Sequence, residues 1–282
     1  MIEDVRGHLD YDAVGAGPTI VLVPGSCSTG AAWRPIMDAL GGRFRCVTTS
    51  LLGYGRTTER RTARDPSITH ETDVVEAVVR RAGGRVHLVG HSFGGLVSLA
   101  VALGGRVPLA SLTIAEAPAM ELLRACGEHH HYQAFRQMTA TYFADFERGN
   151  ADAIATMIDF YGGVAGTFAA WPPRLRAYAA ETTPVNILDW ASAYGFPLPP
   201  AALAALEMPV LIARGGASPP AVQRANGLLA ECIDGATLAT LRGAAHFMIA
   251  THAHEVAGLI ARHVLAAEAR LTSLKDKATA PA

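Results

Sequence analysis

A serine hydroxyl is a weak nucleophile until it is held exposed and given a base. The segment Gly90-His91-Ser92-Phe93-Gly94-Gly95 has the form that holds one exposed. Val86-His87-Leu88-Val89 precedes it and Leu96-Val97-Ser98-Leu99-Ala100 follows, which reads as strand, G-x-S-x-G, helix. A sharp strand-to-helix turn lifts the Ser92 oxygen above the sheet. Glycines two residues to either side let strand and helix approach without Cβ clashes. The first turn of the helix leaves unpaired N–H groups beside the serine, able to bind a developing oxyanion. A chain of this composition contains G-x-S-x-G by chance about 0.1 times, so the flanking strand and helix carry the argument.

The nucleophile needs an imidazole within hydrogen-bond reach, and eleven histidines compete for the role. His246 lies in Leu241-Arg242-Gly243-Ala244-Ala245-His246-Phe247, after the last expected strand and before the last expected helix, which makes it the candidate base. His252 and His254 fall one to two turns later, at a solvated helix entrance. His91 adjoins the nucleophile, and a neighbour along the chain points the other way. His129-His130-His131 reads as a polar helix face, because consecutive helical residues diverge and no carboxylate or cysteine completes a metal set. The Gly-rich segments lack the strand–helix context of a phosphate or dinucleotide site, so no cofactor is implied. Among acids, Glu116 closes the apolar run Leu112-Thr113-Ile114-Ala115, where a carboxylate needs a partner. Asp189 and Asp234 are weaker candidates on position.

These residues are positioned by alternating elements. Ile20–Val23, Cys46–Thr49, Val86–Val89 and Leu112–Ala115 read as buried strands, with helices at Trp33–Leu40 and Thr72–Arg80. The alternation stops near Pro118 and resumes at Pro209 with strand Val210–Ala213, helix Ala221–Ala230, strand Thr237–Leu241 and helix Glu255–Leu265. Such alternation means a parallel sheet with helices on both faces. Thirteen of the nineteen aromatic residues fall between positions 119 and 203, a stretch with helical segments and no strand alternation. The expected organisation is a core at 1–118 and 204–269, a helical cap insertion at 119–203 over the carboxyl ends of the strands, and a frayed tail at 270–282.

On these motifs the chain resembles the α/β-hydrolase superfamily over nearly its whole length, in the serine-nucleophile, esterase- and lipase-like branch with a helical lid. Ile20-Val21-Leu22-Val23-Pro24-Gly25-Ser26, followed by Trp33, is similar to the family's His-Gly-x oxyanion loop, with Pro24 in place of the histidine. The resemblance implies that the backbone N–H groups of Ser26 and Phe93 form the oxyanion hole. Ser50-Leu51-Leu52-Gly53-Tyr54-Gly55-Arg56-Thr57 is similar to the D-L-x-G-x-G-x-S loop, and Gly243–His246 to the G-x-G-H turn. The usual acid follows the strand before the histidine strand, in G-x-x-D. Here Arg214-Gly215-Gly216-Ala217-Ser218-Pro219 has Ser218 at that position. Relatives similar to haloalkane dehalogenases carry the acid one strand after the nucleophile, which implies Glu116 as the triad acid. Serine at position 92 argues against epoxide-hydrolase or dehalogenase chemistry, which in this superfamily uses a carboxylate nucleophile.

Composition bounds the function. With 24 Lys+Arg against 25 Asp+Glu and a net charge of −1, no basic surplus exists for a nucleic-acid backbone. The longest apolar runs fall far short of the roughly 20 residues of a membrane span. Cys27, Cys46, Cys126 and Cys232 are scattered, and charges occupy the opening residues where a signal peptide would be apolar, so the expected location is cytoplasmic. The expected activity is hydrolysis of hydrophobic carboxylic esters through an acyl-enzyme on Ser92, without a cofactor. Carbon–carbon, lactone or amide hydrolysis and cofactor-free perhydrolysis stay open with the same triad. So does a non-catalytic small-molecule binding protein, which the empty acid position at Ser218 favours.

Overall fold

The computed structural model of the chain describes residues 2–4 and 7–279. Strands β1 (Ile2–Asp4) and β2 (Gly7–Leu9) form a small antiparallel pair. The main sheet is built from β3 (Asp12–Val14), β4 (Thr19–Val23), β5 (Arg45–Thr48), β6 (Val86–His91), β7 (Leu109–Ala115), β8 (Val210–Gly215) and β9 (Thr237–Leu241). Its order is β3-β5-β4-β6-β7-β8-β9, with β3 antiparallel to β5 and all other pairs parallel. From β4 the chain steps outward to β5, then returns past β4 to β6 and continues the other way. The carboxyl ends of β4 and β6 therefore adjoin, with Val23 paired to Gly90, where the connections diverge. That switch point is where open α/β sheets form a binding crevice.

Both sheet faces are covered, as runs of consecutive buried strand residues require. Ile20, Leu22 and Val89 pack with Trp33, Ile36, Leu40, Val256 and Ile260, beneath α1 (Arg34–Leu40) and the last helix. Val21, Val23 and Leu88 face the other way, toward α2 (Thr69–Ala82) and α3 (Phe93–Gly104). Alternate residues of one strand thus feed two cores. In α2 the stripe Val74, Val75, Val78 and Val79 is buried. The segment between β7 and β8 forms α4 (Met120–Ala125), α5 (His129–Glu147), α6 (Ala155–Gly162), α7 (Pro173–Glu181), α8 (Thr183–Tyr194) and α9 (Pro200–Ala204). It is followed by α10 (Pro220–Cys232), α11 (Met248–Thr251) and α12 (Ala253–Thr279). Asn226 of α10 binds both backbone groups of Ala117, at 3.0 and 3.1 Å, where the chain leaves the sheet for these helices.

Residues 270–279, expected to open a frayed tail, continue α12 to Thr279. No glycine or proline interrupts Arg270–Thr279, and helix formers without an apolar stripe still continue a helix that is already nucleated. Residues 280–282 lie outside the described part. The strands β1 to β3, three residues each, were invisible to periodicity because so short a run cannot establish a period of two.

The elbow rests on close backbone approach. A Cβ on Gly94 would fall inside the van der Waals shells of Val23 O and Pro24 O, the backbone of the loop after β4. Because backbone cannot rotate aside, Gly94→Ala is expected to destabilise by about 2–3 kcal/mol, lowering the midpoint of thermal unfolding by roughly 5–10 °C. Differential scanning calorimetry checks this.

Candidate active site

Ser92 sits between β6 and α3 with φ 53° and ψ −129°. Its N–H donates to Ala115 O at 2.9 Å, and its carbonyl accepts from Gly95 at 2.8 Å and Leu96 at 3.2 Å. The turn is thus held by strand β7 on one side and by the first turn of α3 on the other. A non-glycine residue at positive φ costs of order 1–3 kcal/mol and persists only where the surroundings over-determine it. Three such residues occur among those described: Cys27 at 55°, Ser92 at 53° and Glu116 at 50°. All three lie in loops at the carboxyl edge of the sheet.

The structure brings Ser92, His246 and Glu116 together. His246 Nε2 lies 2.9 Å from Ser92 Oγ, and His246 Nδ1 lies 2.8 Å from Glu116 Oε2. The other carboxylate oxygen, Oε1, accepts the Gly215 N–H at 2.6 Å. A carboxylate only accepts, so the proton sits on Nδ1 and Nε2 faces the serine as an acceptor. Glu116 is fully buried, and these two donors replace the water it has lost. Ser218, at the expected acid position, is buried with its hydroxyl unpartnered among the described residues. Asp234 is exposed in the turn after α10.

Asp189 makes its hydrogen bonds elsewhere than on the imidazole. It accepts from Ser26 Oγ at 2.5 Å, Tyr54 OH at 2.6 Å and Arg61 Nη1 at 2.7 Å. Burial raises its carboxyl above the ordinary range while Arg61 and the hydroxyl donors pull against it. The N–H groups of Ser26 and Phe93 border the same pocket as Ser92 and His246, and among the described residues neither donates to a protein acceptor.

That pocket has a volume of about 980 Å³. Ile158, Tyr161, Trp171, Tyr178 and Trp190 bring the helices between β7 and β8 to its wall, facing Ser92 and His246. The Tyr161 ring stacks on His246 with centroids 4.1 Å apart. Other aromatics of these helices, such as Phe135 and Tyr142, are buried in the helices' own packing. Among the described residues no cluster of histidine, cysteine and acidic side chains could hold a metal, and His129, His130 and His131 open the solvent side of α5.

Position along the chain did not reveal two contributors. The His91 ring lies beside that of His246, with centroids 4.8 Å apart. Its Nε2 donates to His246 O at 2.9 Å, anchoring the loop that carries the imidazole. The Asp189 cluster joins residues from three segments distant in sequence. Arg61 and Glu71 lie in a stretch dense in charged and polar residues, where nothing local marks them as buried partners.

A family model described as "Alpha/beta hydrolase family" matches residues 20–259. RutD of Agrobacterium fabrum, a candidate carbamate hydrolase, is 35% identical over 100 residues, covering 36% of this chain and 37% of that protein. Haloalkane dehalogenase 2 of Mycobacterium tuberculosis is 35% identical over 99 residues, covering 35% of this chain and 34% of that protein. The chain thus spans about a third of the length of these curated relatives. Among solved structures, Est816, described as an N-acyl homoserine lactone degrading enzyme, superposes with a TM-score of 0.71. It is 21% identical, with 92% of this chain and 98% of that chain covered, and it shows the shared fold. No described helix is long and apolar enough to cross a membrane.

Burial, then the nearby charge of protonated His246, push His91 down to about 3. The unfolded chain takes up that proton near pH 6.5. Between those values the unfolded state binds more protons, so His91 makes stability fall as pH drops through the window. His91→Gln can still donate to His246 O and has no such titration. Its unfolding midpoint is expected to fall less steeply than that of the wild type between pH 6.5 and 4, as measured by calorimetry.

Proposed function

Because the chain belongs to the α/β hydrolase family, we propose that it is a serine hydrolase cleaving carboxylic esters with apolar groups. Ser92 Oγ attacks the carbonyl carbon while His246 Nε2 takes its proton. The carbonyl oxygen becomes an oxyanion held by the Ser26 and Phe93 N–H groups, with the dipole of α3 behind the second. His246 returns the proton to the leaving alkoxide as the carbon–oxygen bond breaks, leaving an acyl-enzyme. Water, deprotonated by the same nitrogen, attacks the acyl carbon; the ester bond to Ser92 breaks and its oxygen recovers the proton. Glu116 holds Nδ1–H and stabilises the imidazolium in both half-reactions.

One observation carries this reading. An unbroken relay runs from Ser92 Oγ through both ring nitrogens to Glu116, at 2.9 and 2.8 Å, and it opens onto an apolar pocket. The hydroxyl at position 92 separates the chain from its dehalogenase relative in the proposed chemistry. An alkoxide formed under base catalysis suits an acyl carbon. The apolar wall favours hydrophobic acyl or alcohol groups by excluding water from them.

Two outcomes test the proposal. A fluorophosphonate probe should label the wild type stoichiometrically at Ser92, and Ser92→Ala should abolish labelling and lower ester turnover by about 10³-fold or more. A panel of p-nitrophenyl esters, lactones and anilides of graded acyl length identifies the bond cleaved. Glu116→Gln should lower kcat by about 10²–10⁴-fold with little change in unfolding midpoint, whereas Ser218→Ala should change it far less. Full activity in Glu116→Gln would remove Glu116 from the mechanism.

A further inference from the structure

We propose that Asp189, carried by α8, is a positioning residue for the oxyanion loop, so that the helices between β7 and β8 complete the reacting centre as well as wall the pocket. The proposal rests on the serine-hydrolase reading, because it gives Ser26 N–H a task. Asp189 and Ser26 are 163 positions apart, yet Ser26 Oγ donates to Asp189 Oδ2 at 2.5 Å. Tyr54, from the loop after β5, donates to the same oxygen at 2.6 Å. Arg61 Nη1 donates to Oδ1 at 2.7 Å. Three chain segments, the loop after β4, the loop after β5 and α8, thus meet on one buried carboxylate.

The loop needs such a fastening. Ser26 is followed by Cys27 in the left-handed region, at φ 55°, a conformation the loop would leave if nothing held it. While Ser26 Oγ is held on Asp189, the residue whose N–H faces the pocket is tied to α8. Tyr54 OH, on the same Asp189 oxygen, ties the loop after β5 into the same fastening. A carboxylate suits this position better than an amide. It offers acceptors only, and charge-assisted bonds are about twice as strong as neutral ones. The fully buried Arg61 keeps Asp189 in place from behind, and its Nη1 and Nη2 also pair with Glu71 Oε1 at 3.1 Å and Glu59 Oε2 at 2.8 Å. Removing the Ser26 hydroxyl therefore releases the loop without stripping the guanidinium of its partners.

The test compares Ser26→Ala, Ser26→Thr, Asp189→Asn and the Ser26→Ala/Asp189→Asn double variant with the wild type. Steady-state kinetics use an ester the wild type cleaves. Fluorophosphonate labelling of Ser92 and inhibition by an alkyl boronic acid, whose tetrahedral adduct places an oxygen on the oxyanion donors, supply readouts beyond turnover. Ser26→Ala should lower kcat by about 10–100-fold, with KM changed by less than about threefold and boronate affinity falling in parallel with kcat. Ser26→Thr, which keeps a hydroxyl, should restore most of both. Asp189→Asn should match Ser26→Ala, and the double variant should be no worse than either single one. If Asp189→Asn does not fold, Ser26→Ala and Ser26→Thr still decide, because neither touches the buried ion pairs. Wild-type kcat and boronate affinity in Ser26→Ala would overturn the proposal, as would a loss confined to KM or to stability. Absence of probe labelling in the wild type would instead remove the serine-hydrolase reading, and this proposal with it.

Discussion

In the proposed mechanism the imidazole of His246 serves Ser92 in one tautomer and one orientation, and the hydrogen bond from Nδ1–H to Glu116 fixes both. Everything else at the carboxyl edge of the sheet can be understood as making that bond affordable. Glu116 is a wholly buried carboxylate at the end of an apolar strand, and such a group is tolerated only when each oxygen finds a donor. The second donor comes from Gly215, the last residue of β8, three positions before the place where relatives would carry the acid itself. The two strands are neighbours in parallel register, with Ala115 beside Ala213, so a side chain leaving β7 reaches the end of β8 with no detour. The segment that lacks the acid supplies the N–H that holds it.

The same constraint explains where the backbone is strained. Left-handed conformations at Cys27, Ser92 and Glu116 follow directly after the neighbourhoods of β4, β6 and β7. Each turns a side chain or N–H from the sheet edge into the crevice instead of letting the chain run straight on. The strain is sustained by bonds from adjacent strands: Ser92 N–H to Ala115 O at 2.9 Å, and Glu116 N–H to Ala213 O at 3.1 Å. A stiff, doubly covered sheet is what lets three unfavourable residues coexist within one site.

Legibility in the sequence divided along physical lines. Ser92 could be read because its chemistry needs glycines at fixed offsets, and His246 because a single turn separates the last strand from the closing helices. Glu116 could be reached by combining a vacant position with an acid on an apolar strand, although spacing alone left Asp189 and Asp234 in competition. The parallel core followed from buried β-branched runs. The three-residue strands β1 to β3 carry no period, and the continuation of α12 to Thr279 depends on helix propagation that an amphipathic pattern does not report. His91 and the Asp189 cluster were illegible for a different reason. Their partners are the backbone of residue 246 and side chains at positions 26, 54 and 61, and long-range polar contacts leave no local pattern.

That last class of contact changes how the helical insertion must be viewed. A cover that only excluded water would touch the site through apolar side chains, as Ile158 and Trp190 do. Tyr161 does more, packing against the imidazole at a tilt of 35° with ring centroids 4.1 Å apart. Asp189 reaches past the pocket to the loop after β4. Contacts of this kind lose their value if the helices swing as one body, because charge-assisted bonds at 2.5–2.7 Å weaken steeply with displacement. Leu175 of α7 lines the pocket and is half exposed, whereas α6 and α8 are tied to His246 and Ser26 through Tyr161 and Asp189.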